Sequence, residues 1–199
     1  MSEEEKFNTP FANKSVEKIG EGAVSRVLKY DDNWVIKEVT QSGDVNTLRA
    51  LRQNKEDYEL LRTRLDKFIP ETNFIRGSNT EGKPTNYIVQ RRVNGMPIKK
   101  LGNKELKDPQ VRSNLKLLLQ QCLSMWEETG RLPDLLGNSM AVFLGPRYTP
   151  NILIEDQTKK CYLVDTDANP KFFSKKASLI YKPRVYLSVW NLKRFIMKL

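Results

Sequence analysis

At 199 residues the chain is long enough for one sizeable core or two small lobes that share a cleft. Hydrophobic residues make up 39% and charged ones 29%, the balance of a soluble globular protein, and no apolar run approaches the roughly 20 residues of a membrane span. There is no histidine, so zinc-hydrolase, Ser-His-Asp and Cys-His mechanisms lose their usual parts, while the net charge of +10 favours an anionic partner.

In chain order, residues 1–14 read as a frayed leader, polar and acidic at its start and unlike a secretory signal. Residues 15–30 alternate as two strands around a glycine-containing turn, and Trp34 to Val39 is a short strand. From Asp44, an N-cap, a helix is expected to about Lys67, with Val45, Leu48, Leu51, Tyr58, Leu61 and Leu65 in broken helical period. Phe74–Arg76 and Asn86–Val93 read as paired strands around a polar loop, and Val93-Asn94-Gly95 as a connector.

Asp108-Pro109 is a strong helix start. An apolar stripe from Val111 through Leu115, Leu118, Leu119, Cys122 and Leu123 to Trp126 follows, and the helix stops near Thr129-Gly130. Asn151–Ile154 and Tyr162–Val164 form a small hairpin, and a last helix is expected beyond Pro183, with Val185, Val189, Leu192, Ile196 and Leu199 on one face. The expected class is α+β in two lobes, residues 15–93 and 94–199. Cys122 and Cys161 lie in apolar patterns without metal-ligand spacing; two buried free thiols fit a reducing cytoplasm.

Three segments carry chemistry. Gly20-Glu21-Gly22-Ala23-Val24-Ser25-Arg26-Val27 has the form G-x-G-x-x-S-x-V, in which a glycine turn lets backbone N–H groups approach phosphate oxygens. Val35-Ile36-Lys37 follows; Val35 and Lys37 share a strand face, so one can cover a base while the other reaches phosphates. Further on, Asn151-Ile152-Leu153-Ile154 and Tyr162-Leu163-Val164-Asp165-Thr166-Asp167 place an amide and two carboxylates at strand ends, oxygen donors of the kind magnesium takes. Asp167 is either a second ligand or the cap of the next turn.

Taken in this order the parts resemble the protein-kinase-like superfamily, in particular its minimal small-molecule and aminoglycoside-phosphotransferase-like members. The resemblance covers residues 15–170 and implies ATP and Mg²⁺ as ligands. It implies that Lys37 pairs with a helix carboxylate, for which Glu56, Asp57 and Glu59 stand open, and that Gln90 backs the pocket while the backbone of Arg91 to Val93 meets the adenine edge. Asn151 and Asp165 are then the metal ligands. Asp134, in Leu132-Pro133-Asp134-Leu135, is the general base, with Asn138 a rival for the role of Asn151.

The sequence departs from the pattern in several places: no His-Arg-Asp occurs, Ser25 replaces the third glycine, and Thr166-Asp167 stands where Phe-Gly is usual. The function expected is phosphoryl transfer from ATP to an acceptor not legible in the sequence. The alternative is a pseudokinase or nucleotide-dependent binding module. Beyond Asp167 there is no acidic residue but eight basic ones between Lys171 and Lys198, with Phe172-Phe173 among them. This stretch is the expected contact for nucleic acid or an anionic membrane surface.

Overall fold

The computed structural model describes residues 17–21, 25–40, 46–79, 81–135, 148–169 and 175–199, without the side chains of 169 and 175–185. The class is α+β. The chain forms two compact units, one of residues up to Glu56 with Pro70–Arg92, the other of Asp57–Ile69 with Val93–Leu199.

The first unit is built on an antiparallel sheet of β1 (Lys18–Glu21), β2 (Ser25–Lys29), β3 (Trp34–Val39), β4 (Thr72–Ser78) and β5 (Pro84–Arg91), ordered β1-β2-β3-β5-β4. Two of its turns are made by side chains that mimic backbone acceptors. Asp31 Oδ1 accepts the N–H groups of Asn33 and Trp34 at 2.7 and 2.8 Å, reversing the chain between β2 and β3. Asn79 Oδ1 does the same for Glu81 and Lys83 between β4 and β5. One sheet face carries the core, Ile36, Tyr87 and Val89, with Tyr30, Trp34 and Ile75 packed on it.

The helix α1 (Leu48–Leu65) begins where the Thr47 hydroxyl accepts the Ala50 N–H at 3.1 Å. The expected cap, Asp44, lies outside the described residues. Asn46 and Thr47 are tied to the sheet: Asn86 N–H donates to Asn46 Oδ1 at 2.7 Å, and Asn86 Nδ2 to the Thr47 carbonyl at 2.9 Å.

In the second unit the segment 57–65 of α1 buries Asp57, Leu61 and Leu65, one face at i, i+4, i+8. A short helix α2 (Asn103–Leu106) leads to α3 (Pro109–Thr129). Asp108 Oδ1 caps α3 by accepting from Gln110 and Val111, with Pro109 in the first turn. Gly130, at φ 67°, ends it in the left-handed conformation that only glycine adopts without strain. The buried stripe runs Val111, Leu115, Leu118, Leu119, Cys122 and Met125. Met125, not Trp126, takes the last core position, and the Trp126 and Tyr186 rings stand nearly perpendicular with their centroids 5.9 Å apart.

Strands β6 (Gly95–Pro97), β8 (Ile152–Glu155) and β9 (Cys161–Leu163) form a second antiparallel sheet, and β7 (Leu132–Pro133) bridges β10 (Ala168–Asn169). The β8–β9 turn is held against α3 by Gln110 Nε2 and Asn114 Nδ2, donating to the Thr158 and Lys159 carbonyls. Gly95 is opposite Glu155, and a β-carbon there would collide with the Ile154 carbonyl oxygen.

The last helix, α4 (Lys175–Lys198), starts before Pro183 and runs through it. Proline there forfeits one intrahelical bond, yet the helix continues on both sides. Among the described residues no helix is long and apolar enough to cross a membrane.

Gly95→Ala is expected to cost about 1–3 kcal/mol, because backbone rather than a side-chain tip blocks the added methyl; urea unfolding measures it. Burial pushes the Cys161 thiol up to about 12 and the Cys122 thiol upward as well. A thiolate-seeking aromatic disulfide at neutral pH should therefore label neither cysteine in the folded chain and both after denaturation.

Candidate functional site

The hairpin β8–β9 and the bridge β7–β10 end at the same place. Asn151, 9% exposed just ahead of β8, donates from Nδ2 to the Asp134 carbonyl at 2.8 Å and to Asp165 Oδ2 at 3.3 Å. Its own carbonyl accepts the Val164 N–H at 2.9 Å, and its N–H donates to the Thr149 hydroxyl at 3.1 Å. Asp165 Oδ1 accepts the Asp167 N–H at 3.2 Å, a turn that folds the segment back on itself. The Asp134 N–H then donates to the Asp167 carbonyl at 2.9 Å, closing the ring. Asp134, Asn151, Asp165 and Asp167 are thus one hydrogen-bonded group, although Asp134 and Asn151 are seventeen positions apart in sequence. Asn138, the rival to Asn151, lies outside the described residues.

A buried carboxylate underpins this group. Asp57 is fully buried; its Oδ1 accepts from Arg131 at 2.5 Å and its Oδ2 accepts the Ala168 N–H at 3.1 Å. Arg131 also donates to the Ala168 carbonyl at 3.2 Å. Burial without such partners would be prohibitive for an ionised carboxylate. Of the three helix acids raised as partners of Lys37, Asp57 therefore has bonds that belong to the second unit, while Glu56 and Glu59 are exposed. The role of Arg131 was not read from the sequence. Its signal was indirect: Asp57 falls in phase with Leu61 and Leu65, and an acid on a buried stripe requires a cation.

Magnesium takes oxygen donors and keeps phosphate and water oxygens in its shell, so one or two carboxylates are enough protein. The group supplies the Asp165 carboxylate and the amide oxygen of Asn151, whose nitrogen is committed to its two acceptors, while Asp134 and Asp167 enter it through backbone atoms. Among the described residues no three or more acidic or thiol side chains gather as a metal cage. A divalent ion here would complete its shell with phosphate and water.

The first unit presents its own set. Gly20 on β1 stands opposite Val27 on β2, Val27 opposite Lys37 on β3, and Val35 opposite Gln90 on β5. Val27, Val35, Lys37 and Gln90 therefore share one sheet face, the one opposite the Ile36–Tyr87–Val89 core. Ser25 opens β2, and Gly22 lies outside the described residues. Gln90 is buried and donates to the Thr72 hydroxyl at 3.0 Å. In the segment expected to meet adenine, the Arg91 N–H donates to the Glu71 carbonyl at 2.8 Å and the Arg92 N–H to the Asn33 carbonyl at 2.6 Å.

Neither a scan against family models nor a search of curated proteins found a match to this chain.

Asp57→Ala, which strands Arg131, should destabilise the chain by about 3–5 kcal/mol in urea unfolding, several times the effect of Glu56→Ala on the exposed side of the same helix.

Proposed function

We propose that the chain binds ATP with magnesium and transfers the γ-phosphoryl group to a hydroxyl acceptor, in the manner of a minimal protein-kinase-like phosphotransferase. The observation that carries this reading is the bonded ring of Asp134, Asn151, Asp165 and Asp167, in which the Asn151 amide lies beside the Asp165 carboxylate, oxygen donors of the kind a magnesium-bound phosphate needs. The shared face of Val27, Val35, Lys37 and Gln90 supports it, since it sets an ammonium beside apolar side chains suited to a base.

In this reading Asn151 and Asp165, aided by Asp167, hold the metal, and the Lys37 ammonium neutralises α- and β-phosphate oxygens. Magnesium, when bound, screens the charge that gathers on the leaving oxygen. Asp134 orients the acceptor hydroxyl and accepts its proton as the oxygen bonds to the γ-phosphorus and the bond to the β-phosphate oxygen breaks. Alignment and charge neutralisation account for most of the acceleration. The second reading, nucleotide binding without turnover, is favoured by the absence of a His-Arg-Asp sequence around Asp134.

Magnesium-ATP well above its dissociation constant should raise the melting temperature by about 5 °C or more, and Asp165→Asn should abolish the rise. No shift at millimolar nucleotide would refute the reading. Asp134→Ala should keep the shift and lower turnover about 10²–10⁴-fold. A wild type that shows the shift without phosphate transfer or hydrolysis would decide for the second reading.

A further inference from the structure

Helix α4 has two unlike faces. Ser188, Val189 and Leu192 are buried. On the other side Tyr186, Trp190 and Met197 are 63%, 52% and 78% exposed. At the helical repeat these three, with Lys193 and Arg194, fall within an arc of about 100°, and exposed Lys198 borders it. Three large, mostly exposed side chains in one line differ from the scattered apolar residues of an ordinary surface. The Arg194 guanidinium lies 4.5 Å from the Trp190 ring centroid, and the chain carries no acid after Asp167. The neighbouring acid is Glu127 on α3, 3.5 Å from Lys193 with both groups more than half exposed, a weak surface pair.

We infer that this face of α4 docks on an anionic phospholipid surface. Tyr186, Trp190 and Met197 enter the boundary between headgroups and acyl chains, and Lys193, Arg194 and Lys198 meet lipid phosphates. Other occupants fit the page less well. Single-stranded nucleic acid stacks bases on open aromatic faces, but Arg194 covers one face of Trp190, and Met197, the most exposed of the three, has no ring. A second copy in a two-fold contact would bring Lys193, Arg194 and Lys198 against themselves. The inference does not depend on phosphoryl transfer.

The test is co-sedimentation of the full chain with phosphatidylcholine vesicles, with and without phosphatidylserine. Binding is expected to the anionic vesicles, weakening as salt rises. Trp190→Ala, Lys193→Glu and Arg194→Glu should each lower the bound fraction at least about fivefold with an unchanged far-ultraviolet dichroism spectrum. The inference is overturned by any of three results: no binding to anionic vesicles, equal binding by wild type and the three variants, or a single-stranded RNA oligonucleotide that binds more tightly than the vesicles and competes them away. Lipid-free self-association lost in Trp190→Ala would also overturn it, in favour of a contact between copies.

Discussion

A carboxylate removed from water keeps its charge only when protein groups replace the hydration it lost, and Asp57 is held under that constraint. Its Oδ1 accepts from the Arg131 guanidinium and its Oδ2 from the Ala168 N–H. Arg131 precedes β7 and Ala168 opens β10, so one side chain on α1 grips both strands of the bridge at its base. The bridge is two residues on each side, too short to set its own register by ladder bonds. Such a pair adds little net stability over an apolar packing of equal volume, but losing one partner is costly. Its consequence is positional: where Asp57 holds the two strands, Asp134 and Asp167 follow.

Asn151 is the second constraint. One amide nitrogen spans the Asp134 carbonyl and the Asp165 carboxylate, and its backbone is tied to Val164 and Thr149. Each of these bonds contributes on the order of 1 kcal/mol net. Their value lies in direction, since a carboxylate with both oxygens already accepting hydrogen bonds has few orientations left. The β8–β9 hairpin supplies rigidity beneath, with Ile152, Ile154, Cys161 and Leu163 all buried. A site of this kind stands on a packed sheet and a charged brace, and its chemical groups sit in short segments leading out of both.

The same economy recurs elsewhere. In the first unit one sheet face is spent on Ile36, Tyr87 and Val89, which leaves the other to Val27, Val35, Lys37 and Gln90. On α4 one face supplies Val189 and Leu192 to the core while the opposite face exposes Tyr186, Trp190 and Met197. On α4 burial separates the face committed to the fold from the exposed one, whereas in the sheet both faces are partly covered, since Val35 and Gln90 are buried as well.

Much of this was legible in local pattern. Period-two and period-3.6 spacing located β3, β5, α1, α3 and the β8–β9 hairpin, and Asp108-Pro109 marked a helix start, because these signals arise within a few residues of chain. The last helix was placed too late because Pro183 reads as a break, whereas a helix tolerates it when the turns on both sides persist. The bridge β7–β10 left no trace in the pattern, since two residues have no period. Residue types alone singled out Asp134, Asn151, Asp165 and Asp167, but their union depends on bonds between segments seventeen and more positions apart. The partners of Asp57 were likewise decided only in the folded chain: a helix sequence shows that an acid lies on the buried side, and which cation arrives there depends on what packs against it.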